Sequence, residues 1–173
     1  MIKGGLGGSL TQSGLSFEKR VDLRVLFNKL EGYSLQGNNL LFQNKVVGKM
    51  YKKHEVYSEL LPSLNIIWSN KISKKLLPDE SILILSNNTL YIIEIKFQEV
   101  AGSVDEKLQT CDFKKKQYQK LFLHSNIKIE YVYVLNDWFK KEEYKDVLNY
   151  ISSVGCHYFF ENLPLKFLNL PTN

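Results

Sequence analysis

Ser81-Ile82-Leu83-Ile84-Leu85-Ser86 and Thr89-Leu90-Tyr91-Ile92-Ile93-Glu94-Ile95-Lys96-Phe97 are two runs rich in β-branched residues, separated by Asn87-Asn88. Such residues suit a pleated strand, and asparagine tolerates the positive φ of a tight turn, so the stretch reads as a hairpin with a two-residue loop. That loop sets the register: Ser86 faces Thr89, Leu83 faces Ile92, Ser81 faces Glu94 and Asp79 faces Lys96. Opposed residues share a sheet face, as does every second residue along a strand, so Asp79, Glu94 and Lys96 are expected on one side. Leu90 and Ile92 share that side, while Tyr91, Ile93, Ile95 and Phe97 fill the other. A strand apolar on both faces that turns charged only at its end marks a site more often than a solvated edge; the competing reading is an ordinary cross-strand charge pair.

Outward from the hairpin, Leu15, Phe17, Val21, Val25, Leu26 and Leu30 recur at helical spacing, predicting a helix from Gln12 to Leu30 that ends at Glu31-Gly32. Leu40 to Gln43 and Val46 to Tyr51 read as a short hairpin about Asn44-Lys45, and His54 to Leu61 as a short helix stopped by Pro62. Downstream, Ser103-Val104-Asp105-Glu106 offers a capping box for a long helix. Its apolar stripe is Val104, Leu108, Cys111, Tyr118, Leu121 and Phe122, reaching about His124. A strand from Ile127 to Leu135, a helix from Asp137 to Ile151, a strand from Cys156 to Phe160 and a tail punctuated by Pro164 and Pro171 complete the chain. The order helix, hairpin, helix, strand, helix, strand predicts an α/β fold, a mixed central sheet flanked by helices on both faces. Strand order is left open.

At 173 residues the chain fits one domain that buries its own core. The Gly-rich residues 1–11 read as a flexible arm. Cys111 and Cys156 lack any ligand spacing, so neither a disulfide framework nor a structural zinc site is expected, and free thiols point to a reducing compartment. With neither a signal-peptide core nor an apolar run long enough for a membrane span, a cytoplasmic protein without a membrane partner is expected. The net charge of +5 suits a polyanionic partner. His54, His124 and His157 are too scattered for a ligand set.

The charged end of the hairpin has a definite chemistry available to it. Mg²⁺ prefers hard oxygen ligands and keeps several waters, so Asp79, Glu94 and the backbone carbonyl of Ile95 would suit it, with Mn²⁺ able to substitute. Lys96 beside them would orient or deprotonate a water, or stabilise a pentacovalent phosphate; the pattern leaves these roles open.

Leu77-Pro78-Asp79-Glu80, thirteen residues, then Glu94-Ile95-Lys96 resembles the signature of the PD-(D/E)XK nuclease superfamily. The segment from Phe97 to Thr110 is similar to the one that follows the catalytic strand in some type II restriction endonucleases. The resemblance spans about Gly14 to Tyr118. It implies a restriction endonuclease-like core and a metal-dependent endonuclease acting on double-stranded DNA, most simply a type II restriction endonuclease or its catalytic subunit. Catalysis would fall to Asp79, Glu94 and Lys96. Many members hold an acidic residue near the metal on the preceding helix; here Gly14-Leu15-Ser16-Phe17-Glu18 offers Glu18, whose plain alternative is a helix-start acid. Gln109 would meet a phosphate or a water, its plain alternative being a surface glutamine. Lys52, Lys53, Lys74, Lys75 and Lys114 are the cations able to track DNA phosphates, their plain alternative being the solvated faces of a basic protein. Residues 36–75 read as an insertion bearing Asn, Gln and Lys side chains for sequence readout. One site cuts one strand per visit, so duplex cleavage implies a homodimer or a second subunit. A junction-resolving or repair nuclease of the same fold, and a catalytically silent DNA-binding module, are the alternatives.

Overall fold

A computed structural model describes residues 14–17, 22–99 and 104–172 of the chain. Residues 1–11 and Glu18 lie outside the described residues. A short ribbon pairs β1 (Gly14–Ser16) with β9 (Asn162–Pro164). Seven strands make the main sheet in chain order: β2 (Tyr33–Gln36), β3 (Asn39–Phe42), β4 (Lys45–Tyr51), β5 (Glu80–Ile84), β6 (Thr89–Lys96), β7 (Lys128–Leu135) and β8 (His157–Phe160). Pairing is antiparallel from β2 to β6 and parallel from β6 to β8. Each parallel step needs a crossover. α3 (Val104–Leu108) and α4 (Cys111–Leu121) supply the first, and α5 (Lys145–Ser153) the second.

Strand alternation divides the core into two layers. Leu83, Leu90, Ile92, Tyr131 and Tyr133 pack beneath α4, α5 and the helical turns of Val56–Leu60 and α2 (Leu61–Ser63). Ile82, Ile84, Tyr91, Ile93, Ile95, Val132 and Val134 pack on the other face against α1 (Leu23–Phe27), Leu15, Phe17 and the C-terminal Leu163, Leu165, Leu168 and Leu170. The mixed α/β sheet with helices on both faces is the architecture expected, although the second face carries one short helix, the ribbon and the tail. All eight residues of β6 are buried, as a strand flanked and covered on both sides must be.

Several elements differ from their local patterns. The helix predicted from Gln12 to Leu30 is, where described, a strand at Gly14–Ser16 and a helix only at Leu23–Phe27. Leu15 and Phe17 are buried and Ser16 is exposed, a period of two that pairing with β9 rewards. The first hairpin turns at Gln43-Asn44, both with positive φ, one residue earlier than Asn44-Lys45. Pro62 sits at the start of α2, where its missing N–H is harmless, and does not end the helical segment. The long helix breaks at Gln109-Thr110, with the Thr110 hydroxyl donating to the Lys107 carbonyl at 2.7 Å. The helix from Asp137 shortens to two 3₁₀ turns and α5, because extended backbone at Lys141 interrupts it. Residues 36–75 supply β3, β4 and buried Val56, Leu60, Leu61 and Ile72, so most of the segment is built into the sheet and core instead of being inserted beside them.

The second hairpin forms with a different loop. Ile84 pairs with Thr89, Leu83 with Leu90, Ser81 with Ile92 and Glu80 with Ile93, so four residues make the turn and the register is shifted by two from that expected. An even shift leaves every side chain on its expected face. Cys111 and Cys156 are free and buried, and their thiols meet in the core. Among the described residues no helix is long and apolar enough to cross a membrane.

Candidate active site

The β5–β6 ladder stops at Glu80 opposite Ile93, and the next chain segment at the β5 end is Pro78-Asp79. Asp79 takes over where the ladder ends. Its Oδ2 accepts the Ile95 N–H at 3.0 Å, satisfying a strand amide that has run out of partner strand. The same oxygen accepts from Lys96 Nζ at 2.9 Å. Lys96 Nζ also donates to Glu94 Oε2 at 2.6 Å and lies 3.4 Å from the Ile95 carbonyl oxygen. Three oxygens expected to bind a metal, from Asp79, Glu94 and Ile95, thus converge on one cationic centre within 3.4 Å.

Burial makes the cluster strongly polarised. Glu94 is 5% and Lys96 8% exposed, which only close charge pairing makes tolerable. Beneath Glu94 stands a wall of tyrosines: Tyr133 is its neighbour on β7, Tyr131 lies two residues earlier, and Tyr118 reaches in from α4. The Tyr118 hydroxyl donates to the Leu76 carbonyl at 2.9 Å and that of Tyr133 to the Lys107 carbonyl at 3.0 Å. Burial first, and the nearby Glu94 charge in addition, hold all three phenols well above the ordinary tyrosine range. They remain neutral, and the carboxylates face a water-poor wall on that side. The side-chain amide of Gln98 is buried without a hydrogen-bond partner among the described residues.

A further cation enters from α4. Lys114 Nζ lies 3.4 Å from Glu94 Oε1, so each oxygen of Glu94 has its own ammonium. Lys114, expected among the cations able to follow phosphates, belongs to the carboxylate cluster. Its signal was in the helical stripe: Cys111, Tyr118 and Leu121 are buried, and Lys114 occupies the intervening position that faces the sheet with them.

The other expected DNA contacts are not gathered around this centre. Lys52 bridges Asp22 at 2.8 Å and Glu80 at 3.4 Å on the opposite face of the sheet. Lys75 stacks over Tyr57 and Trp68, its Nζ 5.3 and 5.0 Å from their ring centres. Lys53 and Lys74 are exposed. Gln109 is exposed at the helix break and lines a hollow with Val147 and Tyr150. Glu18 falls outside the described residues, among which no group of three acidic, histidine or cysteine side chains is arranged to hold a metal.

Sequence reasoning overlooked Glu80. It is 4% exposed, faces away from Glu94, and lies 3.4 Å from both the Leu23 N–H and Lys52 Nζ. Burial pushes its carboxyl up to about 7 against the opposing pull of Lys52. Strand alternation already turns this residue, next to Asp79, into the other layer; its partners there, the Leu23 N–H and Lys52, come from tertiary packing. Nothing among family models, curated proteins or solved structures matches this chain, so its reading rests on its own residues.

Proposed function

We propose that the protein is a metal-dependent endonuclease that hydrolyses phosphodiester bonds in double-stranded DNA, with Asp79, Glu94 and Lys96 as its catalytic group. The observation that carries this reading is the convergence of Asp79 Oδ2, Glu94 Oε2 and the Ile95 carbonyl on a single positive centre, all within 3.4 Å of Lys96 Nζ. Two carboxylates and a carbonyl form a hard, anionic donor set, which fits Mg²⁺ or Mn²⁺ and not a thiolate-seeking metal. When bound, such a cation supplies a water acidified toward neutral pH and positive charge against the scissile phosphate. Lys96 holds a proton at Nζ between the two carboxylates, able to orient the attacking water or to face the pentacovalent phosphate. The neutral tyrosines behind Glu94 keep bulk water away, so these charges act in a low dielectric.

The resemblance of Pro78-Asp79 and Glu94-Ile95-Lys96 to the nuclease signature favours a type II restriction endonuclease or its catalytic subunit, working as a homodimer or beside a second subunit so that both strands are cut. The test compares purified wild type and Asp79→Ala on supercoiled plasmid and on a four-way DNA junction, with Mg²⁺ and with chelator. Cleavage should require Mg²⁺ and fall at least about 100- to 1000-fold in the variant, the scale for losing one preorganised charge-stabilising group. Discrete plasmid fragments support restriction, whereas preference for the junction supports a resolving nuclease of the same fold. Should wild type cut no form of DNA, the nuclease reading falls and the cluster is an internal ion pair in a silent module.

A further inference from the structure

Lys114 is a cation on a helical stripe that is otherwise buried. Residues one and two turns apart share a helix face, so Lys114 is carried toward the sheet with Cys111, Tyr118 and Leu121. The next two lysines are engaged elsewhere. Lys115 pairs with Glu130 at 3.2 Å and donates to the Gly155 carbonyl, and Lys116 pairs with Asp112 at 2.7 Å. Of the three, only Lys114 reaches the carboxylates.

Asp79 and Glu94 bring two negative charges, Lys96 and Lys114 two positive, and the four sum to zero. A divalent cation approaching Glu94 therefore meets two ammoniums beside a carboxylate whose side chain is only 7% exposed, where like charges repel more strongly than in water. Lys96 is tightly held, by contacts of 2.6 and 2.9 Å and with 9% of its side chain exposed. Lys114 is not: its contact is 3.4 Å, 26% of its side chain is exposed, and its stem is long and flexible. An arriving phosphate is a competing anion within reach of that ammonium.

Building on the nuclease reading, we infer that Lys114 is a positioning residue that couples metal binding to substrate binding. It occupies Glu94 Oε1 in the free protein; a DNA backbone phosphate draws its ammonium away, and the vacated oxygen then serves as a ligand for the divalent cation. The free protein binds metal weakly, and bound DNA and metal strengthen each other.

Mn²⁺ binding to the DNA-free protein, measured by electron paramagnetic resonance of the free ion, tests the first half. Lys114→Met should bind Mn²⁺ about 10-fold more tightly than wild type, within the ordinary range of coupling between sites. A gain in affinity cannot come from a damaged fold, and Lys116→Met, which removes the same charge from the same helix, should leave the affinity unchanged. Duplex DNA binding in chelator, followed against salt, tests the second half: Lys114→Met should lower the slope by about 0.9, one phosphate contact. Unchanged or weaker Mn²⁺ binding in Lys114→Met overturns the coupling, and so does an unchanged salt slope. The nuclease reading is judged separately with Asp79→Ala. If that variant loses Mn²⁺ while Lys114→Met is neutral, the metal site stands and the coupling alone is wrong; if Asp79→Ala binds Mn²⁺ like wild type, both fail.

Discussion

Two carboxylate–lysine–carboxylate bridges flank the start of the second hairpin, one on each face of the sheet. Lys96 joins Asp79 to Glu94, and Lys52 joins Asp22 to Glu80. Each contains a glutamate no more than 5% exposed. Their surroundings differ. Asp22 caps α1 through the Arg24 N–H at 2.8 Å, and Glu80 faces the Leu23 N–H, so the Lys52 bridge ties α1 to β4 and β5. The Lys96 bridge is tighter, adds a second lysine, and gathers a backbone carbonyl to the same cation. Burial of a carboxylate is therefore no sign of chemistry in itself. What separates the two groups is whether the oxygens are spent on holding elements together or converge, with a backbone carbonyl, on one cationic centre.

The comparison breaks most visibly at the two lysines. Lys96→Met leaves Glu94 buried with only the 3.4 Å contact to Lys114, and removing one partner of a buried pair destabilises by about 3–5 kcal/mol. Urea unfolding should show that loss; a drop under about 1 kcal/mol would mean that Glu94 is easily rehydrated and the cluster is not held in a dry pocket.

Glu80 gives the next largest effect, and it depends on pH. Its carboxyl is raised from 4.5 to about 7 in the folded protein. Between those values the folded state keeps a proton that the unfolded chain releases, so the stability this group contributes is complete below about pH 4.5 and is lost as the pH rises through about 7. The total is on the order of 3 kcal/mol, at 1.36 kcal/mol per pKa unit. Glu80→Gln should flatten that slope in urea titrations across the window while leaving the proposed Mg²⁺-dependent cleavage intact. An undiminished slope would locate the titrating group elsewhere, and lost cleavage would join Glu80 to the proposed catalytic group.

The smallest effect concerns a lysine held by rings instead of carboxylates. Lys75→Met should lower stability by about 1 kcal/mol, the scale of a partly exposed cation–π contact, with little change in DNA affinity. Weakened DNA binding with unaltered stability would return Lys75 to the cations proposed to meet DNA phosphates.

The site was legible in the sequence for a reason separate from the accuracy of the turn. A two-residue loop was expected and a four-residue one formed, yet Asp79, Glu94 and Lys96 stayed on one face because strand side chains alternate and the shift was even. The N-terminal segment was less readable. Leu15 and Phe17 fit the helical spacing of Val21 and Val25 as well as the alternation of a strand, and the choice was made by β9, near the opposite end of the chain. The Pro-punctuated tail likewise gave no sign that Leu163, Leu165, Leu168 and Leu170 are core residues, because Pro164 and Pro171 break its short alternations and its place in the core depends on packing against β1 and the sheet.

Local chemistry alone determined the central hairpin, the faces of its side chains and the alternation of helix and strand that makes the α/β sheet, since these follow from periodicity and backbone preference over a few neighbouring residues. Tertiary structure decided what distance along the chain conceals: the β1–β9 ribbon, the Lys52 bridge across the back of the sheet, and the arrival of Lys114 at Glu94. Each of these depends on packing between elements far apart in sequence, where the geometry of whole layers, not the preference of any one segment, sets which charges meet.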